Sequence, residues 1–233
     1  MLTDPVLRGR VAHLVRRAGA PPPDVLRAPL LVLLSHAHHD HLDLPSLRRL
    51  PAGTPVVAPG GTGRRLRKAG LAAVHEVAAG DELELDGVTV RAVPAVHDGR
   101  RHPFGRPMPA LGYVIAGPQG APPVYFAGDT DLFEGMAEAV GPHEVALLPV
   151  AGWGPGLGPG HLDPERAALA LAALRPRMAV PIHWGTFWPV GLRAVALDGP
   201  PTEFAAAAAR VAPDVAVVIV RPGESLDLHA APV

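Results

Sequence analysis

Four histidines and an aspartate fall within six residues, in Ser35-His36-Ala37-His38-His39-Asp40-His41-Leu42-Asp43, directly after the apolar run Leu30 to Leu34. Side chains two apart on an extended segment point to the same side, so His36 and His38 converge on one point. Asp40 and His41, beyond the strand end, can face a second point nearby. Imidazole and carboxylate are the donors that zinc takes, and iron or manganese also. A solvated polar loop is the competing reading. So dense a cluster at the end of a buried strand argues against it. His39 takes the remaining position and is expected to point away.

One cluster cannot complete two metal sites, so further ligands are expected at other strand ends. His97 follows the run Val88 to Val96, Asp129 follows Val124 to Ala127, and His183 follows Met178 to Ile182. The chain has no cysteine, so any metal is held by nitrogen and oxygen. His13, His75, His143 and His229 are read as surface groups, and His102 as one that could reach a substrate.

Around these positions, strands are expected at Leu30–Leu34, Val56–Ala58, three within Val74–Val96, Leu111–Ala116, Val124–Ala127, Val145–Val150, Met178–Ile182, Val215–Val220 and Ser225–Leu228. Asp86-Gly87 marks a hairpin turn. Helices are expected at Pro45–Leu50, Thr62–Ala69 (with a basic face), Leu132–Val140, Asp163–Leu174 and Glu203–Arg210. In the fourth of these, Asp163 is the N-cap and Pro164 the first helical residue. Many strands followed by alternating strand and helix suit an α/β layered fold with mixed sheets, and residues 1–233 read as one domain.

Composition narrows the function classes. With 21 Lys and Arg against 22 Asp and Glu, the formal charge of −1 gives no general attraction for nucleic acid, and none is expected as a partner. The 26 glycines and 29 prolines punctuate loops, since 48% of residues are hydrophobic. No transmembrane segment and no signal peptide are read, so a cytoplasmic chain with a small-molecule substrate is expected, its oligomeric state left open.

The histidine cluster, Gly128-Asp129-Thr130 after a strand, and His183-Trp184-Gly185-Thr186-Phe187 together resemble the metallo-β-lactamase superfamily, in order along nearly the whole chain. His161-Leu162-Asp163-Pro164-Glu165-Arg166-Ala167 is similar to a segment of N-acyl-phosphatidylethanolamine phospholipase D. It points to the branch holding that enzyme and the L-ascorbate-6-phosphate lactonases. Arg101, four residues after His97, falls where that branch carries an arginine. The resemblance implies a four-layer αββα sandwich. Members usually have one or two strands before the segment resembling Leu2-Thr3-Asp4-Pro5, so the first N-terminal strand or hairpin is expected to be lacking. It also implies two divalent ions, zinc with manganese or iron as substitutes. His36, His38 and His97 would hold one, Asp40, His41 and His183 the other, and Asp129 would bridge them. Asp40, His161 and Arg101 are the implied catalytic residues.

Two such ions, about 3.5–4 Å apart, make hydroxide available near neutral pH for attack on a phosphodiester or a lactone. His161 could protonate the leaving group, and Arg101 or His161 could stabilise developing negative charge. Thr130 and Asp131 are candidates to fix the histidine tautomers. The glycine-rich stretch Gly152–Gly160 could approach a ligand with its backbone, with Trp153 covering it, or could be an ordinary connection. A metal- or ligand-binding protein of the same fold without catalysis is the alternative, which the filled ligand set disfavours.

Overall fold

The computed structural model describes residues 1–19, 29–102, 104–118, 120–152, 158–191 and 198–228. Trp153 and His229, singled out above, lie outside these residues. In chain order the first elements are β1 (Leu2–Thr3), β2 (Arg10–Val11), β3 (Leu14–Arg16), β4 (Val32–Leu33), α1 (Leu44–Leu47), β5 (Val56–Pro59), α2 (Gly63–Lys68), β6 (Val74–Val77), β7 (Glu82–Leu85) and β8 (Val88–Pro94). There follow β9 (Leu111–Ala116), β10 (Val124–Phe126), α3 (Met136–Val140), β11 (Val145–Pro149), α4 (Pro164–Leu174), β12 (Met178–Ile182), β13 (Phe187–Pro189), α5 (Gly199–Val211) and β14 (Ala216–Val217).

The strands form a sheet β1-β4-β5-β6, a sheet β14-β12-β11-β10-β9-β8-β7, and a small sheet β13-β3-β2. The first is parallel throughout. The second is parallel from β14 to β10 and antiparallel from there to β7. Side-chain alternation sorts the residues into layers. Leu31, Leu33 and Val57 of the first sheet meet Val90, Ala92, Tyr113, Ile115 and Phe126 of the second in the inter-sheet core. Their neighbours Val32, Leu34, Val56 and Ala58 pack on the other side against Leu47 of α1 and Leu66 of α2. Tyr125, Ala146 and Leu148 of the second sheet meet Met136 of α3, Leu171 of α4 and Phe204 of α5. This is the αββα sandwich. Leu31 to Leu34 are fully buried because both of their faces are covered, which is why that strand reads as an unbroken apolar run.

Local chemistry sets the boundaries. Asp86 (φ 50°) and Gly87 (φ 78°) make the two left-handed positions of the β7–β8 turn. The Asp163 carboxylate accepts from Arg166 N at 2.8 Å, capping α4, and Pro164 opens it. Alanines of α4 and α5 let these helices pack closely over the sheet.

Some expectations are corrected. The helix expected from Leu132 begins only at Met136, because Gly135 sits at φ 76° and blocks an earlier start. Ser225–Leu228 forms no strand; Leu226 and Leu228 instead pack on Val145, Met178 and Val180. The last helix begins at Gly199 rather than Glu203, since prolines are tolerated in a first turn. Strands β1, β2, β3 and β13 are additional. β1 is the edge of the first sheet, and no strand lies beyond it among the described residues.

Candidate metal centre

The expected ligands gather at one rim, where strands from both sheets end. The first sheet delivers His36, His38, Asp40 and His41 after β4. The second delivers His97 after β8, Asp129 after β10 and His183 after β12. Gly128 makes this approach possible: at φ 60°, a Cβ on it would fall 2.5 Å from the Ser35 Cβ. His183 itself adopts a left-handed conformation, φ 63°, unusual for a residue with a side chain. His36, His41 and Asp129 are buried, while His38, Asp40, His97, His161 and His183 are half-buried.

Hydrogen bonds fix which nitrogen each ring turns inward. His41 Nδ1 donates to Asp4 Oδ2 at 2.7 Å. Ser35 Oγ donates to the same carboxylate and so accepts from His36 Nδ1 at 2.9 Å. His97 Nδ1 donates to the Gly160 carbonyl (2.8 Å) and His183 Nδ1 to the Ala151 carbonyl (2.7 Å). The Nε2 atoms of these four rings therefore face inward. His36 Nε2 lies 2.8 Å from His38 Nδ1, which is 3.2 Å from His97 Nε2. His41 Nε2 lies 3.2 Å from both His183 Nε2 and Asp129 Oδ2. Three of the resulting groups are His36, His38 and His97; Asp40, His41 and His183; and His97, Asp129 and His161. In each, ligand atoms lie within 4.8 Å of one another.

Among the described residues, Asp129 Oδ1 is buried and finds no hydrogen-bond partner. A buried carboxylate oxygen without a partner is costly, and inward imidazole lone pairs beside it make a donor set suited to divalent cations. Titration points the same way. Burial, with repulsion from His41, holds His36 well below the usual imidazole range, and burial lowers His97 to about 4. Burial would raise Asp129, yet His183 and His41 hold it well below the carboxylate range. Burial would also lower His41, but Asp129, Asp4 and Asp40 hold it well above its ordinary value. The centre demands positive charge, and a proton on His41 is what the chain itself can offer.

Other expected residues take different places. His161 Nε2 lies 3.8 Å from Asp129 Oδ2, and its Nδ1 faces the Gly158 carbonyl at 3.4 Å. Arg101 spends its guanidinium on the histidine loop: Nη1 donates to the Ala37 and Leu42 carbonyls (2.9 and 2.8 Å), and Nη2 lies 3.1 Å from His39 Nδ1. His39 turns to Arg101 and His102. Among the described residues, Thr130 and Asp131 hydrogen-bond to no histidine ring. Thr130 Oγ1 accepts from Val96 N, and Asp131 pairs with Arg166, so they brace the backbone before His97 and the start of α4. His143 is half-buried against Tyr125 rather than a surface group.

Sequence reasoning missed Asp4, Ser35 and the carbonyls of Ala151 and Gly160. Asp4 had a discoverable sign, being an acid that follows a short strand, as the candidate ligand Asp129 does. Two cavities flank the centre. One, of about 290 Å³, is lined by Asp4, Arg16, Gly152, Trp184 and Phe187 beside Asp40, His41, Asp129 and His183. The other, of about 490 Å³, is lined by His38, Asp40, Asp129 and His161, with Arg101 and His102 at its margin.

Comparison with known proteins agrees with this arrangement. The model of the beta-lactamase superfamily domain matches residues 1–184. A UPF0173 metal-dependent hydrolase of Methanopyrus kandleri is 34% identical, over 97% of this chain and 91% of the relative. Among solved structures, Igni18, a metallo hydrolase from the hyperthermophilic archaeon Ignicoccus hospitalis, is similar with a TM-score of 0.62 and 32% identity, over 84% of this chain and 78% of that one. A possible metal-dependent hydrolase from Veillonella parvula shares the fold, with a TM-score of 0.74 at 17% identity, over 97% of this chain and 91% of that one. The expected resemblance to the superfamily is borne out: with its ligand-type residues gathered at one rim of an αββα sandwich, the chain belongs to the metallo-β-lactamase superfamily and, within it, to the UPF0173 metal-dependent hydrolases.

Proposed function

We propose that this chain hydrolyses a phosphodiester or lactone of a small molecule, using two divalent ions held at the rim, zinc being the first candidate. His36, His38 and His97 would hold one ion and Asp40, His41 and His183 the other, with Asp129 shared between them. The observation that carries this reading is the buried, unpartnered Asp129 Oδ1 among inward-facing imidazole nitrogens. Bound there, the ions would supply Lewis acidity and a water with a pKa lowered to about 7.

The chain's own residues do the rest. Asp4, Ser35 and the Ala151 and Gly160 carbonyls lock the ring orientations, so no reorganisation is needed when ligands engage. Asp40 lines both cavities and can accept a hydrogen bond from the attacking water. His161 lines the larger cavity, with Nε2 3.8 Å from Asp129 Oδ2, and would hand a proton to a leaving group there. Arg101 acts as a positioning residue for the histidine loop.

The test combines elemental analysis with rates on bis-p-nitrophenyl phosphate and a lactone panel, after loading with zinc, manganese or iron. Two equivalents of metal and hydrolysis lost in Asp129→Ala and His183→Ala are expected. Rates equal to wild type in both variants would sink the reading.

A further inference from the structure

A third cavity, of about 630 Å³, is lined by residues of α2 and by Arg101, His102, Gly105 and Arg106. Its wall holds Arg48, Arg64, Arg65, Lys68, Arg101 and Arg106, and among the described residues no acidic one lines it. Six of the chain's 21 lysines and arginines thus converge on one concavity in a protein of formal charge −1. Like charges repel, so such a gathering costs free energy unless an anion compensates it. Among the described residues, Arg48, Arg64, Arg65, Lys68 and Arg106 have no ion-pair partner. Arg67, on the same short helix but outside the cavity wall, pairs with Glu76. The nearby Asp43 is taken by Arg8, at 2.7 Å.

The cavity is also continuous with the metal centre in its lining. Arg101 and His102 line both this cavity and the 490 Å³ cavity that holds His38, Asp129 and His161. Arg101 is tied to the histidine loop through the Ala37 and Leu42 carbonyls. An anion seated among these cations therefore adjoins the reacting centre across one shared wall. The volume is that of a small-ligand site. The cations converge on a pocket instead of running along a stripe, which favours a compact polyanion over a nucleic-acid strand.

We propose that this basic cavity is the subsite for a phosphate group, carried by a small-molecule substrate in addition to the bond cleaved at the rim. This assignment of substrate class rests on the hydrolase reading above. Inorganic pyrophosphate, titrated calorimetrically at low salt into the EDTA-treated chain, tests it without competition from bound metal. Saturable binding is expected, weakened about tenfold or more by added salt and by Arg64→Gln/Arg65→Gln/Lys68→Gln, changes that retain helix propensity. Asp129→Asn should bind pyrophosphate like wild type. Circular dichroism would verify that each variant is folded. Absence of saturable binding, or equal affinity in the triple variant, would overturn the proposal. Markedly tighter binding in Asp129→Asn, which removes a carboxylate that repels anions at the rim, would move the anion to the rim and overturn it too. Tighter binding of a single-stranded RNA oligomer, displaced by the same triple change, would replace it with a nucleic-acid surface. Because binding is read without metal, failure here is distinct from failure of hydrolysis in the metal-loaded protein.

Discussion

The two halves of the metal centre orient their histidines by different means. On the first-sheet side, side chains do it: Asp4 receives His41, and Ser35, itself bonded to Asp4, receives His36. On the second-sheet side, main-chain carbonyls do it: Gly160 receives His97 and Ala151 receives His183. A carboxylate adds charge as well as direction, and it is what helps lift His41 above the ordinary imidazole range. A carbonyl adds direction with only a dipole. The first side is therefore open to single substitutions, whereas the second changes only when the backbone does.

The largest effect is expected at Asp129, the carboxylate proposed to serve both ions. Asp129→Asn should reduce hydrolysis on the order of a thousandfold or more and lower bound metal measured by elemental analysis; a full complement of metal with unaltered rate would dissolve the distinction at its root. Next comes Asp4→Asn, which keeps the shape and removes the charge. It should weaken metal affinity about 10–100-fold in chelator competition, and an effect confined to folding stability would show that Asp4 is only structural.

Gly160→Ala probes the main-chain side. Gly160 sits at φ 85°, and a Cβ there would make ordinary contacts at 3.5 Å with His97. The left-handed conformation should cost about 1 kcal/mol in urea unfolding, with a smaller loss of metal affinity than at Asp4. A larger loss than at Asp4 would reverse the ranking of the two halves.

The smallest effect concerns protons. His41 lies above its ordinary value in the folded, ion-free chain, so its contribution to that chain's stability is complete below the unfolded pKa. It is lost as pH rises through the folded one. A cation entering at neutral pH must expel that proton, so apparent metal affinity should rise with pH. Calorimetry of zinc uptake in two buffers of different ionisation enthalpy should count about one proton released per chain. Asp4→Asn should release fewer, and no release in wild type would remove the electrostatic half of the contrast.

The same contrast explains what the sequence could disclose. His36, His97, Asp129 and His183 were legible because each carries distinctive chemistry at the end of an apolar run. The carbonyls of Ala151 and Gly160 were not, since every residue has one and only the folded path decides which face a ring. Strands β2, β3 and β13 are too short for a two-residue period to register. The alternation in Ser225-Leu226-Asp227-Leu228 misled for the opposite reason. It reports one buried side, which a segment laid over the cluster around Met178 achieves without joining a sheet. The αββα layering was expected from resemblance, and side-chain alternation along β4, β5 and β10 supplies its physical basis.

The rim itself carries one more consequence. Its candidate ligands come from both sheets, and His41 and His183, whose Nε2 atoms lie 3.2 Å apart, are separated by 142 positions in the chain. An ion between them would act as a rivet through the sandwich, binding the native chain and having no such site in the unfolded one. At a free concentration a hundred times its dissociation constant, a ligand of this kind adds about 2.7 kcal/mol of stability. Resistance to heat and proteolysis would then follow metal supply, and a starved chain would be marked for turnover by the loosening of its two sheets.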